Sequence, residues 1–180
     1  MSGRSFKLAT VRVATAHDAA FLPALERSAA QAFRAIESLG WLADADVMRV
    51  ERHLQLIALD TCWVAVGDNG QVQGFLSAQI FDSDLHIYEL SVAQGMQGRG
   101  LGRQLLETVM SEAYLRQLRA VTLTTFCDVP WNAPFYQRLG FQQERSLAPD
   151  HRLAEALREE YRHGFAPGSR CAMSWQVTAR

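Results

Sequence analysis

From Val11 the chain alternates apolar and polar residues, Val-Arg-Val-Ala-Thr, as a short strand does, and Thr15 to Asp18 has the spacing of a capping box. Apolar residues then recur at helical intervals through Leu22, Leu25, Ala29, Phe33 and Ile36, predicting one helix that Gly40 and Trp41 interrupt. Val47, Val50, Leu54 and Ile57 predict a second. From Thr61 the period changes. Cys-Trp-Val-Ala-Val, a Gly-Asp-Asn-Gly turn and Val72 to Ile80 read as a hairpin, and Leu85 to Val92 adds a third strand, giving an antiparallel meander.

A glycine-rich stretch, Gln94 to Gly102, closes the meander. Leu101, Leu105, Val109, Ala113 and Leu118 mark one face of the next helix, with Glu112 and Arg116 spaced for an ion pair on the other. Ala120 to Phe126 is a strand. Pro130, Trp131 and Asn132 precede a short helix capped at Gly140, and Phe141 starts another extended piece. Asp150 is placed to cap a helix through Leu153, Leu157 and Tyr161 that stops at Gly164, and Cys171 to Val177 reads as a last strand. The order is that of a mixed α/β domain, in which a strand feeds a glycine loop and a helix before the chain returns to a neighbouring strand.

Length and composition narrow the picture. The 180 residues fit a single domain spanning 1–180, and 48% hydrophobic with 21% charged residues is ordinary for a globular protein. No apolar run reaches the ~20 residues needed to cross a bilayer. Met1 to Lys7 lacks the apolar stretch of a secretion signal, so a cytoplasmic location is expected. A formal charge of −1 gives no general attraction to nucleic acid or anionic membrane. Cys62, Cys127 and Cys171 form no CxxC pair, and His17, His53 and His86 lack ligand spacing, so neither a disulfide framework nor a metal site is expected.

Chemistry concentrates between Tyr88 and Arg103. Gly98, Gly100 and Gly102 allow close approach of a ligand to backbone N–H groups, and the helix starting near Leu101 adds a positive dipole end, an arrangement suited to a pyrophosphate. Arg103 stands where a dinucleotide fingerprint GxGxxG needs its last glycine, and no GxxxxGK[ST] occurs. What remains is Gln97-x-x-Gly100-x-Gly102. This resembles the acyl-CoA pyrophosphate loop of the GNAT superfamily of N-acetyltransferases. Leu90-Ser91-Val92 resembles the family's splayed strand, and Asn132 followed by Phe135-Tyr136 and Leu139-Gly140-Phe141 resembles its second signature, although the family usually separates the Asn and the Phe-Tyr pair by more residues.

The resemblance implies a central twisted, mostly antiparallel sheet of about six to seven strands with a splayed pair, flanked by four to five helices. It implies a CoA-binding core over about 85–141, with an appended helix and strand over about 150–177. Acetyl-CoA is then the acyl donor, no metal is needed, and a small-molecule or peptide amine is the acceptor; a homodimer is compatible with the pattern. Leu90, Ser91, Val92, Gln97, Gly98, Arg99, Gly100, Leu101, Gly102, Arg103, Asn132 and Phe135 are expected to bind the donor. Tyr136 is expected to be the general acid, with amphipathic core packing as its alternative. Glu89 interrupts an apolar strand and is either the base for the ammonium or a residue of the solvated face. A Cys127–His86 nucleophile has no support in the spacing. Asp44, Asp46, Asp82, Asp84 and Asp128, with Glu89, fall in segments that surround the acceptor in such folds and suit a cationic amine. A non-catalytic acyl-CoA-binding module is the competing function.

Overall fold

The computed structural model describes residues 9–178, so the Met1 to Lys7 stretch lies outside the described residues. Strands β1 (Thr10–Val13), β2 (Cys62–Val66), β3 (Val72–Phe81), β4 (Asp84–Val92), β5 (Ala120–Phe126), β6 (Gln142–Gln143) and β7 (Arg170–Gln176) form one sheet in the order β1-β2-β3-β4-β5-β7-β6. Helices α1 (Leu22–Ala30), α2 (Val50–Ala58), α3 (Leu101–Leu115), α4 (Ala133–Arg138) and α5 (Arg152–Arg162) alternate with them. The ladders β1/β2, β2/β3, β5/β7 and β6/β7 are antiparallel, and β4/β5 is parallel. The fold is therefore the mixed α/β, mostly antiparallel class expected. The chain divides into two compact units, one holding residues up to Gln79 with Glu89–Val109, the other Ile80–Tyr88 with Met110 onward.

In the first unit Leu22 and Leu25 of α1 pack with Ile57 of α2 and with Cys62, Val64 and Phe75 of the β2/β3 hairpin. The hairpin turns where expected: Gly70 has φ +76°, and the Gly67 N–H donates to Gln71 O at 3.0 Å. The predicted long first helix is corrected. Regular α-helix ends at Ala30 and the chain continues in 3-10 turns over Gln31–Ala35 and Glu37–Asp44, because Ile36 is extended. Side chains fix the break: Gln31 Nε2 donates to Ala43 O at 3.0 Å, and Arg34 pairs with Asp44 at 2.7 Å. The reach-back half of the capping box forms. The Asp18 carboxylate accepts the Thr15 N–H at 2.7 Å and its hydroxyl at 3.0 Å, while Arg12 grips both carboxylate oxygens at 2.8 and 3.0 Å.

In the second unit β5 pairs with β7 along its whole length. Arg170 lies against the rings of Phe126 and Phe165, 4.5 and 4.9 Å from their centroids, and donates to Glu160 of α5. Helix α5 is capped one residue later than predicted: His151, not Asp150, accepts the Leu153 N–H, at 3.1 Å. The helix stops as expected at Gly164, with φ +103°.

Candidate functional site

Along β4 the ladder with β5 covers Asp84–Ile87 opposite Ala120–Leu123 and goes no further, although both strands do. Beyond that point β4 carries Glu89, Leu90 and Val92, all half-buried, and the buried Ser91. The Ser91 hydroxyl donates to Glu89 Oε1 at 2.6 Å, as side chains two apart on one strand face can. Gly74 of β3 lets this stretch pack closely. A Cβ there would meet Ser91 O at 3.1 Å, Leu105 Cδ1 at 3.2 Å and Val92 Cγ2 at 3.3 Å.

The glycine loop follows. A 3-10 turn over Gln94–Met96 leads into it, and Gln97 Nε2 braces it by donating to Val92 O at 3.1 Å and Ala29 O at 3.2 Å. Gly98 and Gly100 adopt φ +74° and +84°, which L side chains rarely do, and among the described residues no atom beyond the adjoining residues lies within 4 Å of where either Cβ would stand. The loop thus presents open backbone. The first i→i−4 bond of α3 runs from Gln104 N to Gly100 O at 3.0 Å, and the N–H groups before it have no acceptor within the helix. Leu101 is buried beneath them and Gly102 half-buried, while Arg99 and Arg103 are exposed. The Arg103 guanidinium is paired with Glu107 at 2.8 Å.

One carboxylate in this unit escaped the sequence reading. Glu26 of α1 accepts the Met48 N–H on Oε2 at 3.1 Å. Burial and then the nearby Glu89 charge push its carboxyl up to about 8, against the opposing pull of that N–H and of Arg27. The available signal was positional: Glu26 sits one turn from Leu22 on the apolar stripe that continues at Ala29. His53 is fully buried edge-on to Phe75, with centroids 5.2 Å apart, and burial lowers its pKa to about 4, so its ring is neutral.

The second unit holds the other signature. Tyr136 lies on α4, 7% exposed, its ring edge-on to Phe135 and Phe141 at 5.1 and 5.6 Å. Phe135 is half-buried. Asn132 precedes the helix, and its carbonyl accepts the N–H groups of Phe135 and Tyr136. Its side-chain Oδ1 is buried and, among the described residues, accepts no hydrogen bond. Gly140, φ +93°, turns the chain so that Phe141 N–H donates back to Tyr136 O at 3.1 Å.

Several further candidates have partners of their own. His86 is buried with Nδ1 3.0 Å from Thr122 Oγ1, and burial, then the charge of Arg152, lowers its pKa to about 3. The Cys127 thiol faces Gly168 O, so the two side chains have separate partners. Asp84 is held by Arg119 at 2.6 Å and Asp44 by Arg34. Among the described residues no three His, Cys, Asp or Glu side chains are grouped to hold a metal, and no helix is long and apolar enough to cross a membrane.

Residues 58–143, which contain the loop, β4, α3, β5 and α4, match the acetyltransferase (GNAT) domain family. That stretch is similar to the acetyltransferase (GNAT) domain. N-alpha-acetyltransferase 40 of Saccharomyces cerevisiae is 30% identical over 88 residues, 45% of this chain and 31% of that protein, so the match spans about a third of that relative's length. Among solved structures, the PaiA N-acetyltransferase of Thermoplasma acidophilum in complex with coenzyme A has a TM-score of 0.68 at 15% identity, covering 94% of this chain and 99% of that one. The yncA acetyltransferase of Salmonella typhimurium, with acetyl-CoA, has 0.66 at 20%, covering 97% and 96%. Both share the GNAT fold.

Proposed function

We propose that this GNAT domain moves an acetyl group from acetyl-CoA to a primary amine by direct attack in a ternary complex. The observation that carries this reading is the open loop at Gly98 and Gly100, where positive-φ backbone and the first turn of α3 leave N–H groups suited to a pyrophosphate. The orphaned Asn132 Oδ1 fits a second requirement, an acceptor for an amide N–H of the pantetheine arm. The thioester supplies the acetyl group. Glu89 takes the proton that an ammonium must lose before it attacks, Val92 N–H receives the oxyanion, and Tyr136 returns a proton to the departing thiolate. Leu90 and Ser91 align the arm along β4, Gln97 holds the loop in shape, Arg99, Gly102 and Arg103 flank the phosphates, Leu101 anchors the loop from beneath, and Phe135 packs beside the acyl arm.

The half-buried Glu89 on β4 suits a cationic amine arriving as its ammonium. The deciding experiment is thiol release from acetyl-CoA across amino acids, polyamines, aminoglycosides and peptides with free N-termini. Release dependent on an amine supports the reading. Stabilisation by acetyl-CoA without release from any amine makes the chain a binding module instead, and stabilisation by NAD or ATP but not by CoA overturns the loop assignment.

A further inference from the structure

In the second unit Arg119 grips Asp84, Arg158 and Arg162 pair with Glu155, and Arg170 donates to Glu160. Arg152, the first residue of α5, differs: it is half-buried, yet among the described residues it has no carboxylate within ion-pair distance. Helix α5 lies over β5 so that Glu160 meets Thr124 and Arg152 meets Thr122, two residues of one strand face. Nη2 of Arg152 donates to the Thr122 hydroxyl at 3.1 Å, and its Cζ stands over the Phe81 ring, 4.7 Å from the centroid. Thr122 is opposite His86 in the parallel ladder, and His86 Nδ1 lies 3.0 Å from the same hydroxyl. The rings of Phe81, His86 and Tyr88 stand edge-on to one another, with centroids 5.3 to 6.4 Å apart, and Tyr88 is 39% exposed, so this aromatic cluster reaches the surface.

A half-buried cation without a paired counter-ion costs stability. Thr122 takes one N–H and the Phe81 ring covers one face of the guanidinium plane, which leaves further N–H groups along its edge. Both contacts fix the direction of that edge, so little side-chain freedom remains to be lost when a ligand binds. We propose that Arg152 is a carboxylate-binding residue, its remaining N–H edge taking the two oxygens of one carboxylate beside the rings of Phe81 and Tyr88. A planar, singly charged group fits better than a phosphate dianion. Asp84, held by Arg119, and the exposed Asp82 both act on Arg152, and their negative charge opposes a second one on the ligand. The carboxylate belongs either to the acceptor amine, as in an amino acid or peptide, or to a separate small molecule. The first source rests on the acetyl-transfer reading and the second does not.

The test uses the whole chain and two readouts. Benzoate and its neutral isostere benzamide are titrated into 15N-arginine-labelled protein, with the Arg152 Nε–H resonance assigned by its loss in Arg152→Lys. Benzoate is expected to shift that resonance saturably and benzamide to leave it in place, and Arg152→Gln is expected to weaken benzoate by about tenfold or more in calorimetry. In parallel, kcat/KM is compared for an amino acid and its amide. A wild-type preference of about tenfold for the amino acid, lost in Arg152→Gln, assigns the carboxylate to the acceptor. Benzoate binding without that preference assigns it to a separate ligand. An unmoved Arg152 resonance together with no preference, a shift matched by benzamide, or benzoate affinity unchanged in a folded Arg152→Gln overturns the proposal. Should Arg152→Gln fail to fold, Arg152→Lys, which keeps the charge without the two-pronged N–H edge, takes its place. Absence of transfer to every amine refutes the acetyl-transfer reading instead, and leaves the benzoate titration to decide alone.

Discussion

At Gly100 the backbone sits at φ +84° in open space, so a side chain there meets strain and fills the volume a ligand would use, with no neighbour to clash against. Gly100→Val is therefore expected to lose CoA binding while keeping the fold, checked by calorimetric titration with CoA beside a circular dichroism melt; undiminished affinity in the folded variant would contradict the pyrophosphate role. Tyr136→Phe keeps the ring packed against Phe135 and Phe141 and removes only the hydroxyl. Its turnover is expected to fall by about a hundredfold, about 3 kcal/mol of barrier, with acetyl-CoA affinity retained. Turnover equal to the wild type under chemistry-limited conditions would make Tyr136 a packing residue. These residues were legible because a positive-φ turn favours glycine and because Phe-Tyr and Leu-Gly-Phe stand in a fixed pattern. Glu26 was not, since a carboxylate on a helix looks the same in sequence whether it meets water or a backbone N–H.

Among elements, the strands and their order were readable from period alone, as was the stop of α5 at Gly164. The end of α1 was not. Apolar positions at helical spacing continue to Ile36, and the break at Gln31 depends on bonds to Ala43 and Asp44, which no local pattern announces. The approach to α1 was half-legible: Asp18 reaches back to the Thr15 N–H as a capping box requires, but the Thr15 hydroxyl also donates to Asp18, and regular α-helix begins only at Leu22. Arg12, then the Thr15 N–H and hydroxyl, hold the Asp18 carboxyl down to about 2 against the cost of its burial. A carboxylate with a depressed folded pKa stabilises fully above its unfolded value, near 4, and loses that contribution as pH falls to about 2. Asp18→Asn is thus expected to cost about 2 kcal/mol in urea denaturation at pH 7. The gap to wild type should close between pH 4 and pH 2, and a gap independent of pH would assign the loss to packing.

At the scale of the whole molecule, donor binding should be visible as stability. CoA or acetyl-CoA at a hundredfold excess over its dissociation constant is expected to stabilise the fold by about 2.7 kcal/mol, read as a rise in melting temperature that grows with ligand concentration. A melting temperature indifferent to both would leave the loop without its ligand. The same sheet bears on association with other chains. Its outermost strands are its shortest: β6 is two glutamines and β1 four residues, whereas β3 and β4 inside run to ten and nine. A foreign strand seeking unpaired backbone at either rim would find only a brief stretch to copy, at one rim without an apolar side chain to bury. Short rims therefore guard a sheet rich in Val, Leu and Phe against growing into aggregates.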